Sequence, residues 1–440
     1  MFVFTVSLLS NCNAPDYPSV VHAEDSAFSF VISEKGMEKF IDCGLQSAIQ
    51  YAQMITIPEL VFNLELALGI NITFVLSDLR FADFSVGGVH VDVTENNPIA
   101  AEAYNADIDL RFAWRFIQSG YPPLYDNGTG QVIMKGADLR VVVDVLCDFV
   151  ECPGHLKVDV HRAQLDFGKL YLLLDGGSSW LFQAFANLMI ELLQDKISDV
   201  ISQVMVTSIT ELMNSMLQSN GYYEEYAKYP DIIKDDRFAA DMVAKQGYIE
   251  IKFSGYVYKF SNLSDQFITR AMLPGKTANM FNKELQFDLS RAGFNNFLYI
   301  FHKYHDVFSK PGSFKVVDTP IITFYNVQSL LTLNIEKNGE VHEVQLSGVP
   351  KLRTDVIHNK TGYSTHNVTQ IFFKFQVYSS NLQNEENEEI VEWVNKQVEH
   401  ANYQIANTPF MDMDLMDFVF DPKQDVLRLV GDNPEECRQM

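Results

Sequence analysis

Phe30-Val-Ile-Ser-Glu-Lys-Gly-Met37 opens the stretch of sequence that decides the fold, and Ile57-Pro58 closes it. An apolar, strand-like run leads into Ser33, whose hydroxyl can cap the first turn of a helix. Apolar residues then recur at steps of three and four, which is the spacing of a helix with one buried face. The stretch therefore predicts an amphipathic helix of about six turns that begins after Ser33.

Residues 60–175 change to a period of two. Segments such as Val89-His-Val-Asp-Val93 and Leu139-Arg-Val-Val-Val-Asp-Val-Leu146 alternate apolar and polar side chains, which predicts antiparallel strands with one face in water. A second helical pattern runs from Trp180 to about Gln218. Its charged residues fall opposite its apolar ones, so we expect this helix to lie along the sheet.

The second half of the chain repeats this order. Residues 222–246 are polar and predict a linker. A strand from Tyr248, a helix from Ser290, alternating strands and a last helix from Ile390 follow. The two copies are too diverged to count as a sequence repeat, but their shared order predicts two pseudo-symmetric domains.

Composition limits what the chain can bind. Apolar residues make up 47% of 440, enough for a large core, and 33 of them are Phe, which has no polar group. The net charge is −24, with 27 acidic and 11 basic residues in 1–220 and 30 acidic and 22 basic in 221–440. Such a field repels phosphate backbones and anionic headgroups. We therefore expect no nucleic-acid partner, and only apolar contact with lipid.

The N-terminus resembles a secretory signal. An apolar run, Met1 to Ser10, precedes small and polar residues, with Val21-His-Ala23 as a cleavage site. No base precedes the run, and a buried N-terminal strand is the alternative. No apolar run reaches 18 residues, so none predicts a membrane span. We expect a protein that is secreted or in the endomembrane lumen, with N-glycans at its five Asn-x-Ser/Thr sequons. These are Asn71, Asn127, Asn262, Asn359 and Asn367.

Cys147 and Cys152 are separated by four residues, a loop length that could close a hairpin. A local disulfide between them is predicted. The alternatives are two reduced, half-buried thiols, or a zinc site, which this spacing disfavours.

No catalytic motif is complete. Gly176-Gly-Ser-Ser179 lacks the spacing of a nucleophile elbow. Gly275-Lys-Thr277 lacks the earlier glycine of a phosphate loop. His302 and His305 come at a predicted helix end, where interaction with the helix dipole is the default and no third metal ligand can be named. We therefore expect no catalytic residue, no metal and no cofactor, and a protein that is not an enzyme.

The order of these motifs resembles the bactericidal/permeability-increasing and lipopolysaccharide-binding (BPI/LBP) protein family. The resemblance spans most of residues 28–432. It rests on the Ile-Ser-x-x-Gly turn into the first helix, the Ile57-Pro58 exit, Cys152 to His161, Trp180 to Gln218, Phe287 to Phe301, Asn407-Thr-Pro-Phe410 and Val426-Leu-Arg-Leu-Val-Gly-Asp432.

The resemblance implies an α+β fold, an elongated boomerang of two pseudo-symmetric barrel-like domains. Each would be a twisted antiparallel sheet wrapped on a long helix, and a central antiparallel sheet would join them. The expected division is a signal segment at 1–23, an N-terminal lipid-binding domain at 24–221, a linker and central sheet at 222–260, a C-terminal domain at 261–408, central-sheet strands at 409–432 and a tail at 433–440.

The resemblance also implies apolar pockets that hold phospholipid or other acyl lipid in a monomer that contacts a membrane or lipid particle transiently. Each lining candidate could equally be ordinary core. The candidates are Met37, Phe40, Ile41, Leu45, Ala48, Ile49, Ala52, Phe182, Phe185, Met189, Leu192, Phe294, Phe297 and Phe301.

Two departures from the family pattern bear on function. The family pairs the cysteine that matches Cys152 with one on the second long helix, and Ser202 stands there in this chain. Endotoxin-binding members carry a cationic N-terminal tip, whereas residues 1–220 here are at −16. Lipid binding, with possible transfer between membranes, is therefore expected before recognition of microbial lipopolysaccharide, and a scaffold without ligand is a third interpretation.

Overall fold

The fold is known from a computed structural model. It describes residues 26–39, 41–42, 57–66, 70–95, 98–119, 123–148, 154–177, 190, 194, 196–200, 202–203, 206–207, 210–211, 213–214, 223–226, 229–235, 237–262, 283–305, 309–310, 314–325, 328–358, 365–400, 403–404, 414–421 and 426–432.

Most of these residues lie in strands. In chain order the elements are β1 (Phe28–Ser33), β2 (Leu60–Leu66), β3 (Ile70–Ser85), β4 (Gly88–Asp92), β5 (Ile99–Ser119), β6 (Leu124–Asp148), β7 (His155–Asp166), β8 (Lys169–Asp175), β9 (Tyr223–Tyr226), β10 (Tyr229–Asp235), β11 (Val243–Lys245), β12 (Tyr248–Phe253), β13 (Val257–Lys259), β14 (Leu285–Ser290), α1 (Arg291–His305), β15 (Ser309–Lys310), β16 (Phe314–Val316), β17 (Ile321–Tyr325), β18 (Gln328–Lys337), β19 (Glu340–His358), β20 (Thr365–Ser380), α2 (Asn384–His400), β21 (Tyr403–Gln404), β22 (Asp414–Asp421) and β23 (Val426–Asp432). Residues 34–39 and 41–42, and every described residue from 190 to 214, are also helical.

The central sheet takes strands from distant parts of the chain, in the order β11-β12-β1-β14-β23-β22. β1 pairs antiparallel with β12 on one side and β14 on the other. One face is apolar, with Phe28, Phe30 and Phe287 in ring contact. β1 and β14, which the expected division put in the two outer domains, thus help to build the sheet that joins them.

Ser33 starts a helix as predicted, because its Oγ accepts a hydrogen bond from the Gly36 N–H at 3.1 Å. Gly36 is required by close packing. A Cβ there would lie 2.9 Å from the Glu284 carbonyl oxygen and 2.9 Å from Ile32 Cγ1. The Ile-Ser-x-x-Gly turn therefore fits the helix against the residue that precedes β14.

The two outer sheets are open. The N-terminal sheet has the order β2-β3-β5-β6-β7, with β4 on β5 and β8 on β6. The C-terminal sheet has the order β15-β16-β18-β19-β20-β21, with β17 on β18. Among the described residues neither sheet closes into a barrel; each expected barrel-like domain is an open, twisted antiparallel sheet.

Helix side chains cover several of these edges. Asn214 pairs with both main-chain groups of Val158 in the edge strand β7: its Oδ1 accepts the N–H at 2.6 Å and its Nδ2 donates to the carbonyl at 3.1 Å. Asn395 of α2 does the same to Phe375 of β20, at 2.6 and 2.9 Å. Each amide makes the hydrogen bonds that a neighbouring strand would make. It therefore protects a strand edge that could otherwise pair with another chain. The same device recurs in both halves, as pseudo-symmetry would require.

The polar segment 222–246 is not a plain linker. β9 and β10 form a three-stranded sheet with β13, and β11 joins the central sheet. Ile232 and Ile233 are fully buried there, as is the ion pair between Arg237 and Asp235, at 2.8 Å. The sequence did not predict these strands because charged residues interrupt their apolar pattern. Asp235 and Arg237 can be buried there because each is the partner of the other.

Candidate functional site

The concave face of the N-terminal sheet is the apolar interior to which the resemblance points. Side chains from β2, β3, β5 and β6 form one buried cluster there. Trp114 lies at its centre, 1% exposed, and donates its indole N–H to the Thr129 carbonyl at 2.9 Å. Phe74 stacks on Trp114, with 6.0 Å between ring centroids. The alternation predicted for 60–175 is confirmed by this inner face.

Two irregularities bend the strands around this interior. Asp78 in β3 and Asn105 in β5 have positive φ angles of 54° and 52°, which non-glycine residues seldom adopt. Strand pairing shifts register at both places, so each is a bulge that curves the sheet. After the first bulge Leu79 is 1% exposed, and its carbonyl accepts a hydrogen bond from the Ile57 N–H at 3.3 Å.

Described residues of the second long helix lie against the same interior. Ile197 is buried within the cluster, and Ile190 and Val200 pack on it. Ser198 Oγ donates to the Leu165 carbonyl at 2.9 Å. This bond and the Asn214 pair with Val158 hold the helix along β7. The prediction that this helix lies on the sheet with its apolar face inward is confirmed for these residues.

A crevice remains between the helix and the sheet. It is too narrow in this structure to admit a water molecule, and every side chain around it is aliphatic. The lining residues are Ile57, Leu60, Leu79, Leu110, Ile197 and Val200.

None of these six was among the candidates taken from the sequence. Ile197 and Val200 could have been found, because they follow the candidates Met189 and Leu192 at helical spacing. Leu79 could not, because only the bulge at Asp78 turns it inward.

The sequence candidates in the first helix lie elsewhere, as far as they are described. Met37 is 7% exposed and belongs to the core cluster of the central sheet and the C-terminal half, and Ile41 packs on that cluster. They do not join the N-terminal cluster. Nine candidates fall outside the described residues: Phe40, Leu45, Ala48, Ile49, Ala52, Phe182, Phe185, Met189 and Leu192.

The three C-terminal candidates are buried aromatic core. Phe294 contacts Phe373 edge-on, with 5.5 Å between centroids. Phe297 and Phe301 contact each other at 4.5 Å. Each ring thus packs against another aromatic side chain of the protein, which favours the interpretation of these residues as ordinary core.

Cys147 departs from its predicted pairing. It is a free cysteine, 6% exposed, and its Sγ lies 3.5 Å from the Phe238 carbonyl oxygen. Burial, with the nearby charges of Asp241 and Asp148, raises the pKa of its thiol to about 12. The expected bond to Cys152 is therefore not present, because the sulfur faces the segment around Phe238; Cys152 itself lies outside the described residues.

His305 ends α1 as predicted, and its Nε2 lies 3.1 Å from Asp231 Oδ1. Among the residues that the structure describes, no three His, Cys, Asp or Glu side chains are grouped to hold a metal ion. No helix within the described ranges has the length and apolarity to cross a bilayer.

Comparison with known proteins gives a sequence relative. No protein-family model matches the chain. A BPI/LBP family protein of Arabidopsis thaliana is 22% identical over 205 residues, which are 46% of this chain and 41% of the plant protein. The chain thus spans less than half the length of that relative.

Solved structures are also similar, among them these two. Lipopolysaccharide binding protein superposes with a TM-score of 0.56 at 14% identity, covering 94% of this chain and 100% of that one. Takeout 1 of Epiphyas postvittana superposes with a TM-score of 0.26 at 14% identity, over 44% of this chain and 93% of that one. A score this low does not establish a shared fold.

The α+β class and the boomerang fold expected from the sequence are confirmed by the first superposition. Its coverage includes both outer sheets and the central sheet. With the sequence match to the plant protein, this confirms the resemblance to the BPI/LBP family that the motifs indicated.

Proposed function

We propose that this chain binds lipid and buries acyl chains between the second long helix and the concave face of the N-terminal sheet. The observation that carries the proposal is the aliphatic crevice beside Val200. It lies between the helix and the sheet, whose polar contacts, within the described part of the helix, are those of Ser198 and Asn214. The space between helix and sheet can widen without breaking a strand ladder.

The energetics favour apolar ligands. Each buried CH₂ contributes about 0.8 kcal/mol, so one 16-carbon tail supplies roughly 12 kcal/mol before its costs. As it stands the crevice has no room even for a water molecule, whereas common ligand pockets enclose ~300–1,000 Å³. An acyl chain therefore enters by moving the helix outward, and part of the gain offsets that displacement.

Charge selects among headgroups. With −24 overall and −16 in residues 1–220, the chain repels anionic groups, so neutral or zwitterionic phospholipids are the proposed ligands. Recognition of lipopolysaccharide is the second candidate, favoured by the fold shared with lipopolysaccharide binding protein. A salt titration separates them, because anion binding weakens steeply with ionic strength and acyl-chain burial does not.

The setting of this activity is part of the proposal. The protein acts as a monomer that is secreted or in the endomembrane lumen, carries no cofactor, performs no catalysis and contacts membranes or lipid particles transiently. Transfer of lipid between such surfaces is the finer form of the function.

Extraction of lipid from the purified chain tests the proposal. Native mass spectrometry is expected to show bound phospholipid, and the apo-protein is expected to take up a fluorescent phospholipid from neutral vesicles. A preparation with neither bound lipid nor uptake would favour a scaffold without ligand. Transfer is measured separately, as movement of the fluorescent lipid between donor and acceptor vesicles.

A further inference from the structure

Two sequons lie on one outer surface of the N-terminal sheet. The strand registers align Asn71 with Ser119, Thr73 with Ile117, and Ile117 with Tyr125. Directly paired residues point to the same face of a sheet, as do alternate residues of one strand. Asn71 in β3 and Asn127 in β6 therefore both project outward, opposite to the buried Phe74 and Phe116.

An apolar patch lies between these two asparagines. It consists of Ile117 and Tyr125, which are 41% and 64% exposed, and we name it the hairpin patch. Ile117 lies on β5, midway on the diagonal from Asn71 to Asn127. Two strand spacings and four residues along the strand put the two asparagines roughly 17 Å apart.

The side chains of Asn71 and Asn127 are available for modification. Both residues are exposed. Within the part of the chain that the structure describes, their hydrogen bonds are made by main-chain groups: the Asn71 carbonyl accepts from Ser119 Oγ, and the Asn127 N–H donates to Asp126 Oδ1. Asn262 differs, because its Nδ2 donates to the Tyr304 hydroxyl at 3.2 Å.

We propose that Asn71 and Asn127 carry N-linked oligosaccharides that together cover the hairpin patch. The inference rests on the luminal or secreted setting proposed above. The donor is an oligosaccharide linked to a polyprenol diphosphate. The amide Nδ2 bonds to the anomeric carbon and loses a proton, the bond from that carbon to phosphate oxygen breaks, and the polyprenol diphosphate leaves. The outer face at this end of the sheet then meets solvent through sugar, and lipid reaches the protein from another side.

Site occupancy is the first test. The full chain is produced in a eukaryotic secretory cell line and treated with the amidase that converts glycosylated Asn to Asp. The masses of the peptides that contain residues 71 and 127 are then measured by mass spectrometry. Conversion is expected at both positions. A chain with either asparagine unconverted overturns the proposal, whether it was secreted or retained. Lipid extracted from the same sample reports on the proposed function independently.

A pair of variants separates glycan loss from misfolding. Thr129→Ala destroys the sequon of Asn127 without touching the asparagine, and Thr129→Ser preserves it. Thr129 is exposed, so both variants should fold. Loss of one glycan in the first variant only is the expected result, and equal masses in the two would contradict it.

Coverage of the patch is the second test. Nitration of Tyr125 is expected to rise several-fold when the glycans are removed. Tyr325 of the C-terminal sheet, 54% exposed, is the matched control and should react at the same rate throughout. An unchanged ratio of the two rates would show that the sugars leave the patch open.

Discussion

Arg428 and Asp288 face each other across β23 and β14 and form a buried, two-pronged ion pair. Arg428 Nε donates to Oδ1 at 2.8 Å and Nη2 to Oδ2 at 3.1 Å. The residues are 4% and 1% exposed. Gln286 Nε2 donates to the same carboxylate at 3.1 Å. The pair fixes the register of two strands that lie far apart in sequence.

Arg428→Met should destabilise the fold by about 3–5 kcal/mol, because it leaves the Asp288 charge buried without its partner. The double variant Arg428→Met, Asp288→Leu should recover most of that loss, since no charge is left behind. Urea unfolding of both single variants and the double variant measures the coupling. Additive losses would show that the pair contributes nothing beyond its separate parts.

Glu250 gives the central sheet a pH dependence. Burial raises the pKa of its carboxyl above the ordinary 4.5, and the charge of Asp288 adds to this, while Lys252 and Lys245 oppose it. The folded protein then holds the proton more tightly than the unfolded chain, so stability falls as pH rises from about the ordinary value through the raised one.

Glu250→Gln should therefore be more stable than the wild type at pH 7, by on the order of 1 kcal/mol. Its stability should not show the fall with rising pH that Glu250 causes. Unfolding midpoints from pH 4 to pH 8 check the prediction. Glu336→Gln, at an exposed position of β18, is the control and should keep the wild-type slope.

Glu38 secures the edge strand β4 from the first helix. Its Oε1 accepts the Val91 N–H at 3.0 Å and lies 2.7 Å from His90 Nδ1. Glu38→Ala should cost about 1 kcal/mol and speed hydrogen exchange of the Val91 amide roughly fivefold. Glu38→Gln keeps a carbonyl oxygen and should restore most of the protection. Equal exchange in the two variants would mean that the helix does not protect this edge.

Cys147 should resist alkylation in the native protein. Burial and the neighbouring acids raise the pKa of its thiol to about 12, so almost no thiolate exists at neutral pH. Iodoacetamide should label it only after denaturation, as followed by peptide mass. A peptide that stays unlabelled in denaturant and gains two hydrogens on reduction would instead reveal a disulfide.

Val200→Trp should reduce the lipid load by filling the crevice beside Leu79. Asp199→Trp is the matched control, since it adds the same side chain at an adjacent, exposed helix position. Lipid per protein is counted by native mass spectrometry, with circular dichroism to verify the fold. Full load in Val200→Trp would move the binding site away from this crevice.

Helix starts and alternating strands could be predicted because their signals are local. Ser33 and Ser290 cap the helices that follow them, with their hydroxyls 3.1 and 3.2 Å from the Gly36 and Gly293 N–H groups. The edge contacts of Asn214 and Asn395 could not be predicted, since an amide reveals its partner only when helix and strand are already placed.

The sequence predicted that the second long helix lies on the N-terminal sheet, but it did not single out the six residues that line the crevice between them. The packing of an apolar helix face on an apolar sheet can be predicted from the regular spacing of apolar residues in the sequence. The second long helix was correctly expected there. The lining depends on curvature, which the bulge at Asp78 supplies at a positive φ. The short strand β10 was missed because charged residues interrupt its apolar pattern, and Asp235 at its end is paired with Arg237 inside the fold.

The position of β1 has a consequence for how the molecule can be divided. A fragment that ends before β12 leaves β1 with two bare edges, and one that begins after Ser33 leaves β12 and β14 separated by a missing strand, a gap of about 10 Å. The boomerang has two arms, but neither arm is a module that could be cut out and expressed by itself.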